Sequence, residues 1–307
     1  MKYDKQTSHQ FSVLYQARYC AQEDISIAVC KDGIINMLDH PFSFTNFVSR
    51  TPGFSLPKTN SWSKLDVSSS NLYCLFREVK PGYRFVKVSK SSKSLCFLPS
   101  LLDERSNFSV CSFMQKILVI GGRRNEEFIN SCMAYDCKRN IWNYITKMNQ
   151  NREDTSSTIF QGKVVVTGGF GNRLLKSVEA YCFHENKWTQ FPSMLNPKCN
   201  HGSVSLGNKM FVIDRNINDG CEVFDSISNK FTLLKTKPHV KNVECYPFKA
   251  KAFTVGYTMH VFNVIYVMGK GRILTSCYDV EKKSWTSENY YNPEFSNYFV
   301  CAKMFKS

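Results

Sequence analysis

Histidine, long apolar runs and acidic side chains are scarce in this chain of 307 residues. The six histidines are scattered, and none of the 13 cysteines forms a C-x-x-C pair, so the spacing that holds zinc is missing. The cysteines fall mostly inside apolar segments, as reduced, buried thiols of a cytoplasmic protein do. No apolar run reaches 18 residues, so no membrane span is expected. The start, MKYDKQTSHQ, lacks the apolar stretch of a secretory leader. There is no G-x-S-x-G elbow, H-E-x-x-H helix, phosphate-binding loop or dinucleotide fingerprint. Gly168-Gly169-Phe170-Gly171 is glycine-rich, but it lies between two strand-like segments, and a phosphate cradle needs a helix N-terminus. No enzyme activity, metal or cofactor is therefore expected.

Acidic residues number 25 against 40 Lys and Arg, a formal charge of +15. Lys80, Arg84, Lys87, Lys90 and Lys93 form one basic group, and Lys235, Lys237 and Lys241 a second. Such a balance attracts nucleic acid or an acidic partner. The alternation in YRFVKVSK, however, is that of a half-solvated strand, and nucleic acid is not the partner expected.

What the chain does have is an internal repeat. Ile117–Trp142 reads ILVIGGRRNEEFINSCMAYDCKRNIW: an apolar run, a double glycine, a polar loop, a second apolar segment around Tyr135, a turn, and Trp142. The grammar returns as VVVTGG (Val164 to Gly169) and AYCFHENKW (Ala180 to Trp188). Trp188 − Trp142, Tyr181 − Tyr135 and Met194 − Met148 all equal 46, and Leu101–Gly122 aligns with Met148–Gly169 at an offset of 47. Arg105 then falls on Arg152. An aromatic pair seven residues apart recurs as Tyr135–Trp142, Tyr181–Trp188, Phe224–Phe231 and Tyr278–Trp285.

A period of about 40–50 residues with three or four short strands per unit marks a β-propeller blade. The double glycine followed by Tyr and Trp resembles the kelch repeat, as does the ending Pro57-Lys58-Thr59-Asn60-Ser61-Trp62. The expected fold is all-β: a six-bladed kelch propeller over residues 25–307. Repeats are clear near 105–142 and 152–188 and weak in the first, second, fifth and sixth units. In the first unit Ile25 to Cys30 is a strand and Trp62 takes the Trp position. In the second, NLYCLFREV, YRFVKV and SLCFLPS supply strands, with Val88 and Leu95 at the Tyr and Trp positions. The C-terminal segment, Asn297 to Phe305, reads as a first strand with no blade after it, and is expected to close the first blade. Residues 1–24 lie outside the repeats; Phe11, Leu14, Tyr15 and Arg18 have helical spacing, predicting a short N-terminal helix. In kelch-like relatives a BACK domain and a BTB domain precede the propeller. The helix resembles a remnant of the former, and 24 residues leave no room for the latter.

The resemblance implies that Tyr, Trp and the glycines serve the fold, and that Arg105 and Arg152, replaced by Lys198 in the next unit, tie loop carbonyls of adjacent blades. It also implies a protein-binding rim where the loops after the double glycines meet those around the Arg positions. Carried over position by position, its contact residues are Arg123 and Asn125, Phe170 and Asn172, then Ser106, Glu153 and Cys199. Arg215 and Lys270 stand beside that rim in two weaker units. The same residues also read as ordinary solvated loops. Interface anchors are often Arg and aromatic side chains, and a basic rim suits an acidic segment of a protein target. The function implied is substrate recognition for a cullin-RING ubiquitin ligase, provided a BTB domain is supplied elsewhere. The alternative is actin binding. Sialidase-type boxes are absent, and no arrangement of copper ligands as in galactose oxidase can be picked out.

Overall fold

The computed structural model describes residues 25–31, 34–39, 54–55, 61–68, 71–77, 83–89, 95–214, 220–234, 246–255, 258–267, 270–291 and 298–305. The expected N-terminal helix lies outside these residues, as do Lys80, Lys90, Lys93, Lys235, Lys237 and Lys241. Among the described residues no helix is long and apolar enough to cross a membrane.

The described strands form six four-stranded antiparallel sheets. The first contains β1 (Ile25–Lys31), β2 (Ile34–Asp39) and β3 (Phe54–Ser55); the second, β4 (Ser61–Ser68), β5 (Asn71–Arg77), β6 (Tyr83–Ser89) and β7 (Leu95–Leu98). The third holds β8 (Ser109–Phe113), β9 (Lys116–Arg124), β10 (Glu127–Asp136) and β11 (Ile141–Ile145). The fourth holds β12 (Ser156–Phe160), β13 (Lys163–Thr167), β14 (Val178–Cys182) and β15 (Lys187–Phe191). The fifth is built of β16 (Gly202–Leu206), β17 (Lys209–Ile213), β18 (Glu222–Asp225) and β19 (Lys230–Leu233), and the sixth of β20 (Tyr246–Val255), β21 (Thr258–Val267), β22 (Lys270–Asp279) and β23 (Ser284–Tyr291). The last strand, β24 (Tyr298–Phe305), pairs with β1 and completes the first sheet, as its sequence predicts. The leading strands β24, β4, β8, β12, β16 and β20 neighbour one another in that series.

The seven-residue spacing has a direct cause. Tyr135 lies opposite Trp142, Tyr181 opposite Trp188, Phe224 opposite Phe231 and Tyr278 opposite Trp285, each pair facing across a hairpin. Val88 faces Leu95 in the second sheet in the same way. The turn between each aromatic pair carries a residue at positive φ (Asn140, Asn186, Asn229, Lys283). Tyr135 and Tyr181 donate their hydroxyls to the Asn140 and Asn186 amide oxygens at 2.5 and 2.7 Å, so the buried ring fixes its own turn.

These rings fill the space between sheets. Tyr73 and Phe85 of the second sheet pack with Phe108, Ile117, Val119, Tyr135 and Trp142 of the third. Phe85 stands edge-on to Tyr135 with centroids 4.8 Å apart. Burying each large ring stabilises by about 2–3 kcal/mol. Similar clusters join the third sheet to the fourth, the fourth to the fifth and the fifth to the sixth. Trp142 also donates its indole N–H to the Pro99 carbonyl, and Trp188 to that of Thr146, each just beyond the last strand of the preceding sheet.

One expectation fails. Trp62 does not take the Trp position of the first blade; it lies in β4 and pairs with Phe76 of β5. Ser61–Ser68 is joined to β5 by only two residues, and that hairpin makes it the leading strand of the second sheet, whereas β3 ends the first. Local pairing overrides the motif-like ending.

Candidate partner-binding rim

The segments linking successive sheets set the rim. Arg152 is buried. Its amide donates to the Ile129 carbonyl (3.2 Å) and its carbonyl accepts from Gly122 (2.9 Å), both in the third sheet's unit. Its guanidinium turns the other way, into the fourth, donating to the carbonyls of Gly168 (2.7 Å) and Ser177 (3.1 Å) and pairing with Glu179 at 2.7 Å. Arg105 likewise bonds the carbonyls of Gly121 and Ser131. At Arg152 and Lys198 the implied tie between blades is present, but divided: backbone to the blade being left, side chain to the blade being entered. Each buried cation has a carboxylate, and Glu179 and Glu222, each two residues before the aromatic of its hairpin, hold equivalent places. For Arg105 it is Asp103, for Arg152 Glu179, and for Lys198 both Asp214 and Glu222. Burial opposes the charge on Lys198. The Asp214 hydrogen bond and the Asp214 and Glu222 charges outweigh that, and its pKa ends above the usual lysine value.

The double glycines sit where these links cross. Gly121 and Gly168 have φ of 59° and 53°, and a Cβ on either would come within 2.4 Å of the carbonyl oxygen of Arg152 or Lys198. Positive φ and a passing backbone together demand glycine.

Beyond Gly122 the third sheet departs from the expected polar loop. β9 runs on to Arg124, turns over Asn125 and Glu126 and returns as β10, with a register shift between Ile129 and Cys132. Asn125 and Glu126 have φ of 46° and 65°, the two positive values of a type I′ hairpin. The ribbon thus projects past the glycines. Arg123 pairs across it with Phe128 and lies over that ring, its Cζ 5.1 Å from the centroid. Phe128 in turn meets Phe170 of the next unit edge-on at 5.5 Å.

The linkers close on the same place. Ser106 and Arg123 exchange two backbone hydrogen bonds at 2.8 Å, and Glu153 and Phe170 do the same. Glu153 is buried; it accepts from Asn107 Nδ2 at 2.9 Å and lies 3.7 Å from Arg123. Burial pushes its carboxyl above the usual range, with the charges of Asp154 and Glu126 adding to the shift and Asn107 and Arg123 opposing it.

Ser106, Arg123, Glu153 and Phe170 therefore form one connected group spanning two units. Asn125 is the exposed tip of the ribbon, and Asn172 is exposed on the neighbouring loop. Cys199 is half-buried beside Asn200, whose amide donates to the Asp154 carbonyl. Arg215 lies outside the described residues, and Lys270 is described only as the start of β22. The rim is less basic than its sequence implies, because Arg123 pairs with Glu126 at 3.0 Å and Arg124 with Asp103 at 3.5 Å. Phe128, Glu126 and Asn107 escape the sequence reading. The one signal for Phe128 is an aromatic inside an otherwise polar stretch.

The Kelch motif matches residues 104–149 and 151–195, each span running from just beside a buried Arg to the end of a four-stranded sheet. The third and fourth sheets are kelch repeats. Kelch-like protein 41a of Danio rerio is 32% identical over 107 residues, covering 34% of this chain and 18% of the relative. Kelch-like protein 24 of Rattus norvegicus is 37% identical over 90 residues (29% and 14%), and kelch repeat protein C2 of cowpox virus 21% over 199 residues (61% and 36%). The chain thus matches well under half the length of these relatives. The kelch repeats and the likeness to kelch-like proteins support a protein-interaction module.

Proposed function

We propose that the rim over the third and fourth blades receives a short segment of another protein. The observation that carries this is the projecting ribbon, with Arg123 laid on Phe128 beside Phe170. A stacked, tethered guanidinium next to half-buried aromatics is a preorganised anchor, and such side chains dominate interface energetics. Ser106, Arg123, Asn125, Glu153, Phe170, Asn172 and Cys199 make up the surface, and Arg215 and Lys270, at the glycine positions of two weaker units in the sequence, join it in this reading. The propeller spans residues 25–307, with 1–24 an extension ahead of it. The charge of +15 draws in an acidic segment from a distance.

In this reading the chain works in the cytoplasm as the substrate-recognition propeller of a cullin-RING ubiquitin ligase adaptor, its BTB domain lying upstream or on a partner chain. The similarity to kelch-like proteins supports it. The same charge favours a second reading, attachment to acidic actin filaments.

Affinity capture from cell lysate, read by mass spectrometry, tests both. Wild type is compared with a variant carrying Arg123→Ala and Phe170→Ala, after circular dichroism shows both folded. Loss of a discrete partner in the variant supports the rim, and the presence of a BTB protein with a cullin, or of actin, decides between the readings. Matching profiles refute the rim.

A further inference from the structure

The ribbon tip contains a residue that the turn itself does not favour. A two-residue type I′ hairpin prefers Asn-Gly, because both positions have positive φ. Here the second position is Glu126, at φ 65°, a conformation that is uncommon and unfavourable for a side chain with a Cβ. Its carboxylate pairs with Arg123 Nη2 at 3.0 Å, while the Glu126 carbonyl accepts from Arg123 Nε at 3.1 Å. The Glu126 side chain is 92% exposed and that of Arg123 35%. The pair therefore holds in water, where ion pairs are weak and exchange readily. The other sides of the guanidinium are fixed by Phe128 and by buried Glu153. So Arg123 is placed by Phe128, by Glu153 and by the Glu126 carbonyl, and its exposed side carries a carboxylate in a loose pair.

We propose that Glu126 is a built-in placeholder, occupying in the free protein the seat on Arg123 that a carboxylate of the bound segment takes over. The inference rests on the rim reading above and adds two things to it. The partner presents an Asp or Glu to Arg123, and Glu126 sets how tightly it is held. A carboxylate arriving on a segment already held by Phe128 and Phe170 displaces Glu126 without having to order Arg123, whose conformation is the same before and after. Glu126 swings into solvent, where its hydration replaces the lost pair.

The test uses the full chain and a fluorescein-labelled octaglutamate peptide, with binding read by fluorescence anisotropy at low and physiological salt. Glu126→Gln and Glu126→Gly are expected to tighten binding by about 2- to 5-fold, the scale of one exposed ion pair. Glu127→Gln changes the net charge equally and sits on the same ribbon, but its carboxylate is not on Arg123; it is expected to change binding less than about 1.5-fold. Combined with Arg123→Gln, the gain from Glu126→Gln disappears. Equal effects of Glu126→Gln and Glu127→Gln would reduce the effect to general charge and overturn the proposal. So would a gain that persists without Arg123, or no difference from wild type. If capture of the cellular partner is lost with Arg123→Ala and Phe170→Ala while Glu126→Gln leaves peptide binding unchanged, the rim stands and only the placeholder falls. If capture is unaffected, the rim itself falls.

Discussion

In the fifth blade Lys198 Nζ donates to Asp214 Oδ2 at 2.9 Å, at the place where Arg152 Nη1 in the fourth donates to the Gly168 carbonyl at 2.7 Å. The positions correspond, since 198 − 152 and 214 − 168 both equal 46. Where the branched guanidinium gives way to an ammonium, the glycine gives way to a residue that brings its own acceptor. Charge and geometry are exchanged together, and the link between blades survives.

Removing Lys198 should therefore be costly. Glu222 is fully buried and would be left beside Asp214 without its cation. Lys198→Met is expected to destabilise by about 3–5 kcal/mol, the scale of an orphaned buried charge. Lys198→Met with Glu222→Gln and Asp214→Asn should recover a large part. Urea unfolding followed by tryptophan fluorescence checks this; equal midpoints for the single and triple variants would refute the pairing.

The glycines separate two kinds of positive-φ position. At Gly162, φ is 70° and nothing lies within 4 Å of an added Cβ, so Gly162→Ala should cost only about 1 kcal/mol of backbone energy. At Gly121 the same change also drives a methyl to 2.4 Å from the Arg152 oxygen, and about 3 kcal/mol or more is expected. Thermal melts of the two variants should differ by about 3 °C or more, and similar melts would mean that the crossing backbone yields easily.

Much of this was legible in the chain. The pairs from Tyr135–Trp142 to Tyr278–Trp285 were readable because a hairpin of constant length converts sequence spacing directly into cross-strand partners. The glycines were readable because no other residue meets both of their demands. Among the carboxylates facing the buried cations, Glu179 and Glu222 share a place two residues before the aromatic, but the third unit has Met133 there. Asp103 and Asp214 occupy other places, so no single offset exposes them all. The ribbon was hidden for a related reason. Its turn is Asn-Glu, and the Met114-Gln115 turn is also at positive φ without glycine, so neither carries the usual hairpin signal. Trp62 misled because six residues can imitate a repeat ending without the strand partner that a real one has.

Trp142 supplies a graded test of packing. Trp142→Phe keeps the ring against Phe85 but abandons the bond to Pro99 O, and about 1 kcal/mol is expected. Trp142→Ala also empties the space between two sheets, at about 3–5 kcal/mol. The fifth blade already carries Phe231 at this position, so the Phe variant should fold normally. If Phe and Ala variants unfold at the same denaturant concentration, the indole bond outweighs the ring.

Two carboxylates should act in opposite directions on acid stability. Asp136 is held down to about 2 by the Lys116 hydrogen bond and by the backbone N–H groups of Arg139 and Lys138. Its contribution is present above the ordinary carboxylate pKa and is lost as pH falls towards 2. Glu153 is shifted upward by burial, so the folded state prefers it protonated; its contribution is present at low pH and disappears as pH rises through its folded pKa. Melts between pH 5 and 2 should show Asp136→Asn losing less stability than wild type on acidification and Glu153→Gln losing more. Parallel curves for all three proteins would contradict both assignments.

The pairing of β24 with β1 bears on how the chain comes together. Ile25 faces Phe305 across a separation of 305 − 25 = 280 residues, against seven for Tyr135 and Trp142. Closing the longer loop costs about 3 kcal/mol more in chain entropy, and it cannot begin until the last of those residues has left the ribosome. The internal blades can form from local hairpins while synthesis continues. The first blade has to wait, its inner edge unpaired, for the strand made after all the others.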